Sequence, residues 1–186
     1  FVVGSNHNDV LDRFFQSGEI EATKVVPTLS PSMDIQIPSN LERLLFEIYD
    51  RDGERVESDL DKFRNSGNLR IGQKELTELQ ALWTSARIDD EKTLSTISDI
   101  YNLTGDLIDP HTAVGIAAAK ERRRCVDNPL VCLATAHPGK FPDAVIEATG
   151  ISPDLPLHLV DLHSRKERYS VLPNDLNTVK NHVERI

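Results

Sequence analysis

Cysteine is scarce in this chain, and its placement excludes the chemistry it most often brings. Cys125 and Cys132 are the only two among 186 residues, and they form no CxxC pair of the kind that binds zinc. Free thiols in a reducing compartment are the expectation. The six histidines are scattered without HxxxH or HExxH spacing, so no metal site is expected. No apolar run nears the roughly 20 residues that span a bilayer, and no signal-peptide pattern occurs. A cytoplasmic location with no membrane partner follows. Basic charge is short as well: 21 Lys and Arg against 30 Asp and Glu leave a net charge of -9. That deficit argues against a nucleic-acid partner, because phosphate backbones need clustered cations. The local groups at Arg122–Arg124 and at Arg165, Lys166 and Arg168 do not offset it, and the first reads as a solvated helix end. A nucleophile elbow and a phosphate-binding glycine loop are both absent.

What remains is an ordinary globular composition, 39% hydrophobic and 27% charged, in a chain long enough for one domain with a full core. Phe1–Ser5 reads as a short buried strand. The chain thus opens inside a β-branched run with no initiator Met, as if its left edge had been cut. Asn6 or Asn8 caps a helix over Asp9–Gln16 that stops at Gly18. Val25–Asn40, with three prolines and several hydroxyls, is an extended segment and loop. Ser39 or Asn40 caps Leu41–Asp50. The charged stretch Arg51–Gly72 looks like an insertion leading to a helix at Gln73–Trp83, followed by one from Asp89 or Asp90 to Gly105. These segments suggest a small helical appendage. The order of units is then 1–50, 51–105 (helical insertion) and 106–186.

"DPHTAVGIAAAK" is a strong helix start, with Asp109 as cap and Pro110 in the first turn. Its small residues Ala113, Gly115, Ala117 and Ala118 let the helix press against a sheet. Val131–Ala134 reads as a buried strand, followed by a helix over Phe141–Ala148 that stops at Gly150. Asn174 caps a last helix bearing Leu176, Val179, Val183 and Ile186. Strands alternating with helices give an α/β fold. About three strands are too few for a complete sheet, so the missing ones would lie upstream.

Four stretches carry candidate chemistry. "ATAHPGKF" puts the Thr135 hydroxyl at a strand end, with His137 and Lys140 on the rim where an anion could meet them. "DPHTA" places His111 in a first helical turn. "TLSPSMD" offers Thr28, Ser30, Ser32 and Asp34 beside two prolines. "SNHND" offers Asn6, His7, Asn8 and Asp9. Ordinary turn and capping chemistry would produce the same letters in each.

In order, "SNHNDVLDRFF", "VVPTLSPSMDIQIPSNLERLLFE", "DDEKTLSTISDIY", "DPHTAVGIAAA", "ATAHPGKFPDAV" and "LPNDLNTVK" resemble the carboxy-terminal part of the threonine synthase family, of the branch shared by bacteria and fungi. The likeness spans nearly the whole chain and is weakest over Arg51–Leu82. The resemblance implies the carboxy-terminal part of a fold-type II pyridoxal-phosphate enzyme: a mainly parallel sheet flanked by helices, with a small helical insertion and the sheet incomplete here. It implies conversion of O-phospho-L-homoserine and water to L-threonine and phosphate. It also implies that Thr135 contacts the pyridine nitrogen of pyridoxal 5'-phosphate. Ser30, Ser32, Asp34, His111, His137 and Lys140 are the candidate substrate neighbours.

The family's Schiff-base lysine and glycine-rich phosphate loop would lie upstream, so no catalytic residue is expected here, and the missing amino-terminal half of the enzyme would be a partner. Gly139 stands where the family usually has Ala. Two alternatives stay open: a catalytically inactive ligand- or partner-binding module on the same scaffold, and a related pyridoxal-phosphate enzyme of β/γ-elimination.

Overall fold

The structure is a computed structural model that describes residues 1–125 and 127–185. It divides into two compact units, Phe1–Pro153 and Asp154–Ile186. The first begins with β1 (Val2–Ser5), whose alternating side chains serve two faces. Val3 packs into a core with Phe14, Phe15, Leu41, Leu45, Phe63 and Leu79, whereas Val2 joins a second cluster of Ala86, Ile88, Val114, Ala117 and Ala118. β1 pairs in parallel with β4 (Thr84–Arg87), Val3 facing Ser85. A parallel pair with both faces covered is the arrangement that an α/β protein requires.

Helix α1 (Val10–Ser17) ends at Gly18 in the left-handed region, φ 75°. Neither Asn6 nor Asn8 caps it; Asp9 holds the cap position without a side-chain bond. A hydroxyl-to-carboxylate bond of 2.6 Å from Ser85 Oγ to Asp12 Oδ1 ties α1 to β4. After β2 (Glu19–Glu21) and the proline-rich loop comes α2 (Leu41–Ile48), likewise without a side-chain cap from Asn40. The charged stretch then departs from its sequence reading. It forms α3 (Gly53–Ser66), capped by Asp52, and β3 (Asn68–Arg70), antiparallel to β2. Val56, Phe63, Leu69 and Ile71 are buried in the first core. The charges lie on the outer side of an amphipathic helix, where they mask its narrow apolar stripe.

One polar contact set fastens α3 further. The Arg55 guanidinium lies 3.8 Å from the centre of the Tyr49 ring and bonds Glu75 of α4 (Gln73–Leu82) at 2.7 Å, while the Tyr49 hydroxyl donates to Asp59 at 3.1 Å. Burial, and then the Asp59 charge, push the Tyr49 hydroxyl pKa well above its ordinary value.

Helices α5 (Asp90–Thr104) and α6 (Pro110–Arg122) complete the layer beside the sheet. α6 lies on β1 and β4, and α7 (Pro142–Thr149) packs on α5. Gly4 allows the close approach of α6: a Cβ there would sit 3.1 Å from both Cγ1 and the carbonyl oxygen of Val114. Gly115, by contrast, faces open space, so the tight packing rests on Ala113, Ala117 and Ala118.

The strand expected at Val131–Ala134 does not form; Val131 and Leu133 are 83% and 80% exposed. A strand needs a hydrogen-bonded neighbour, and among the described residues no strand pairs with 131–134. The short strands β2, β3 and β4 escaped the sequence reading because three or four residues carry too little alternation to register.

The second unit holds two 3₁₀ turns, Leu157–Leu159 and Leu162–Ser164, and α8 (Leu176–Val183). Asp175 caps α8, not Asn174, accepting from the Thr178 N–H and hydroxyl. Ile186, expected to close this helix, lies outside the described residues. No helix among the described residues is long and apolar enough to cross a membrane.

Because α3 belongs to the first core, truncating its anchor should be costly. Phe63→Ala is expected to lower stability by about 3–5 kcal/mol in denaturant unfolding. A loss under about 1 kcal/mol would mean that α3 is a detachable surface helix.

Candidate functional site

Asn6 follows the last residue of β1 and is 1% exposed. Its Oδ1 accepts the Asn8 N–H at 2.8 Å, which leaves Nδ2 facing four oxygens: Thr28 Oγ1 at 2.7 Å, Asp34 Oδ1 at 2.8 Å, Ser30 Oγ at 3.0 Å and the Ser30 carbonyl at 3.2 Å. Asn8 Nδ2 donates to the Val26 carbonyl and to Asp34 Oδ1, and Asn8 Oδ1 accepts the Val26 N–H. Asp34 also accepts the Thr28 N–H and hydroxyl. The loop has no ladder and its prolines lack donors, so these side chains supply the bonds that secondary structure gives elsewhere. This explains why "SNHND" and "TLSPSMD" are both rich in short polar groups: they are two halves of one clasp.

The second construction centres on Asp109, which is 0% exposed. It caps α6 by accepting the His111 and Thr112 N–H groups at 2.9 and 3.2 Å. Its Oδ2 also lies 2.8 Å from His111 Nδ1, and its Oδ1 accepts the Thr112 hydroxyl, the Thr135 hydroxyl at 3.3 Å and the Ala136 N–H at 3.3 Å. The Thr135 N–H donates to Thr112 Oγ1 at 3.0 Å. The Ser32 N–H donates to His111 Nε2 at 3.1 Å. An Nε2 that accepts a backbone donor carries no proton, so Nδ1 carries it and donates to Asp109. The carboxylate therefore joins three distant segments: the loop through His111, the head of α6, and the 135–136 backbone.

The sequence candidates separate into two sets. Ser30, Asp34 and His111 lie inside these networks, with their polar atoms bonded internally. Ser32 is exposed at the tip of the Pro31–Met33 turn. His137 caps the short turn Pro138–Lys140 through Nδ1, which accepts the Gly139 N–H at 3.1 Å. Lys140 is exposed, its ammonium 5.6 Å from the centre of the Phe141 ring, which in turn packs against His111. Thr135 is exposed while its backbone and hydroxyl are held from within. Sequence reading missed Asp109 and Thr112 as site residues because capping explained Asp109 fully; Thr112, three positions after the cap, gave no further signal. Among the described residues no cluster of three or more His, Cys, Asp or Glu could hold a metal ion, and both cysteines are free thiols.

A parallel strand pair flanked by helices, with a clasped polar loop at its end, defines an α/β fold. Residues 112–183 match the family model "Threonine synthase, C-terminal". A threonine synthase of Pseudomonas aeruginosa is 47% identical over 180 residues, covering 96% of this chain and 38% of the relative. The PLP-bound threonine synthase structure from Brucella melitensis superposes with a TM-score of 0.87 at 42% identity, over 99% of this chain and 39% of that one. The yeast threonine synthase structure gives 0.81 at 36%, over 99% and 41%. This chain belongs to the threonine synthase family, and it spans about two fifths of the length of these relatives.

The Asp109 network carries a pH signature. Burial alone would raise the carboxyl's pKa, but the bonds from Thr112 and His111 outweigh it and hold the value below the ordinary one. A depressed folded-state pKa gives stability that is fully present above the unfolded value, about pH 4, and is lost as pH falls through the folded value. Denaturant unfolding across a pH series should show a steeper acid-side loss in the wild type than in Asp109→Asn. Parallel acid limbs would contradict this.

Proposed function

We propose that this chain is the carboxy-terminal part of a cytoplasmic threonine synthase. The whole enzyme would convert O-phospho-L-homoserine and water to L-threonine and phosphate with pyridoxal 5'-phosphate. The observation that carries this reading is Thr135, a neutral hydroxyl held at an exposed position by Thr112 and Asp109. A single uncharged oxygen suits a heteroaromatic nitrogen better than a phosphate, which calls for several N–H donors or cations. When bound, the cofactor supplies an electron-withdrawing ring that eases proton loss from the substrate's carbons. This chain's part is to bind and orient.

Thr135 steadies the ring nitrogen. The Ser32 hydroxyl, His137 and Lys140 are exposed groups suited to the substrate's anionic ends, Lys140 by charge and Ser32 by donation. Ser30, Asp34 and His111 act by fixing the loop that carries Ser32. In the whole protein, residues 1–50 and 106–186 would belong to the large cofactor domain, and the stretch 51–105, expected as a helical insertion, would join it, because β4 pairs with β1 and Phe63 and Leu79 share the core of Phe14 and Leu45. The rest of the same polypeptide would supply the covalent lysine, the phosphate loop and strands to cover Val131 and Leu133.

Phosphate release tests the reading in the full-length protein. O-phospho-L-homoserine should be turned over, whereas an O-acyl homoserine should not; the reverse preference indicates a related enzyme, and no turnover of either indicates an inactive module. Thr135→Val should cost about 1–3 kcal/mol in kcat/KM, roughly five- to 150-fold, and should alter the cofactor's absorption spectrum. Unchanged turnover with an unchanged spectrum would contradict the role given to Thr135.

A further inference from the structure

Ser30 and Asp34 flank the short Pro31–Met33 turn of the proline-rich loop, one before it and one after. Both are bonded by a single nitrogen. Asn6 Nδ2 reaches Asp34 Oδ1 at 2.8 Å, Ser30 Oγ at 3.0 Å and the Ser30 carbonyl at 3.2 Å. One amide therefore closes the turn at its base, and the exposed Ser32 stands at the tip. The loop has other anchors, and they hold it elsewhere. His111 Nε2 accepts the Ser32 N–H, Asp90 Oδ1 accepts the Leu29 N–H at 3.3 Å, and Met33 packs on the second core cluster. Asn6 alone joins the two ends of the turn to β1, whose last residue it follows.

The amide has no isosteric substitute. The Ser30 carbonyl and the Asp34 carboxylate both accept, so a nitrogen must face them. On the other side Asn6 Oδ1 accepts the Asn8 N–H at 2.8 Å and Asn8 Nδ2 at 3.2 Å, which fixes the orientation of the amide from both ends. A carboxylate at position 6 would put an acceptor where Nδ2 now lies, 2.8 Å from Asp34 Oδ1, in a place that is 1% exposed. Two acceptors in buried contact repel, and the base of the turn opens.

We propose that Asn6 is a positioning residue of the substrate site: by pinning both ends of the turn to the end of β1, it sets where the Ser32 hydroxyl stands. This deepens the reading that Ser32 meets an anionic end of the substrate, and rests on it. Asn6 acts only through Ser32, so its effect falls on substrate affinity and leaves the chemical step to other groups.

Steady-state kinetics of the full-length protein with O-phospho-L-homoserine test this. Asn6→Asp is expected to raise KM about tenfold while kcat stays near the wild-type value. The same change in a Ser32→Ala background should raise KM far less, because the hydroxyl that it displaces is already gone. Effects that add in full to those of Ser32→Ala, a loss that falls on kcat, or an unchanged KM in Asn6→Asp would each overturn the proposal while leaving the Ser32 reading standing. A wild-type KM in Ser32→Ala removes the Ser32 contact itself, and the inference with it. Should Asn6→Asp fail to fold, Thr28→Val, which takes away another acceptor of the same amide, decides by the same comparison.

Discussion

One buried carboxylate holds the candidate site together. Asp109 lies fully out of solvent, at a cost that only strong local donors can offset. It receives them from the head of α6, from the His111 ring, from the Thr112 and Thr135 hydroxyls and from the Ala136 backbone. Six donors on two oxygens leave it little freedom. Because those donors come from the start of α6 and from residues 135–136, the carboxylate fixes the one against the other. His111 extends the arrangement to the proline-rich loop, which Asn6, Asn8 and Asp34 clasp from the opposite side. Removal of the carboxylate would leave the buried Thr112 hydroxyl and the His111 imidazole without their acceptor, the costly half of any polar network.

The sheet matters chiefly as the support for this arrangement. Gly4 in β1 lets α6 settle against the strand, and the alanines of α6 keep that contact close. Val114 and Ala118 thus fix the height of the helix whose first turn carries Asp109 and His111. The polar rim begins where the strand's apolar residues end, at Ser5 and Asn6. Position along one strand and one helix is therefore converted into the placement of a hydroxyl and a loop.

Much of this was legible in the letters. Asp109 before Pro110 announced both the helix and its cap, and Gly18, Gly105 and Gly150 end their helices as expected. The ordered motifs pointed to the family over nearly the whole chain. Other features were hidden for identifiable reasons. Asn6 and Asn8 look like helix caps to any local reading, because a cap and a long-range clasp use the same amide. The charged surface of α3 concealed Val56 and Phe63, two apolar residues spaced seven apart. Val131–Ala134 has the composition of a strand, but strand formation depends on a partner that composition does not reveal. Asp109 was visible as a cap and invisible as a hub, since its links to Thr135 and, by way of His111, to Ser32 exist only in three dimensions.

Amide hydrogen exchange on the full-length protein, comparing the wild type with Asp109→Ala, tests most directly whether this carboxylate organises the site. Exchange should quicken together at Ser32, Thr135 and Ala136, while amides within β1 and β4 keep their protection. Protection at Ser32 that persists while Thr135 and Ala136 open would show that the loop is held independently, and the single-hub account would be wrong.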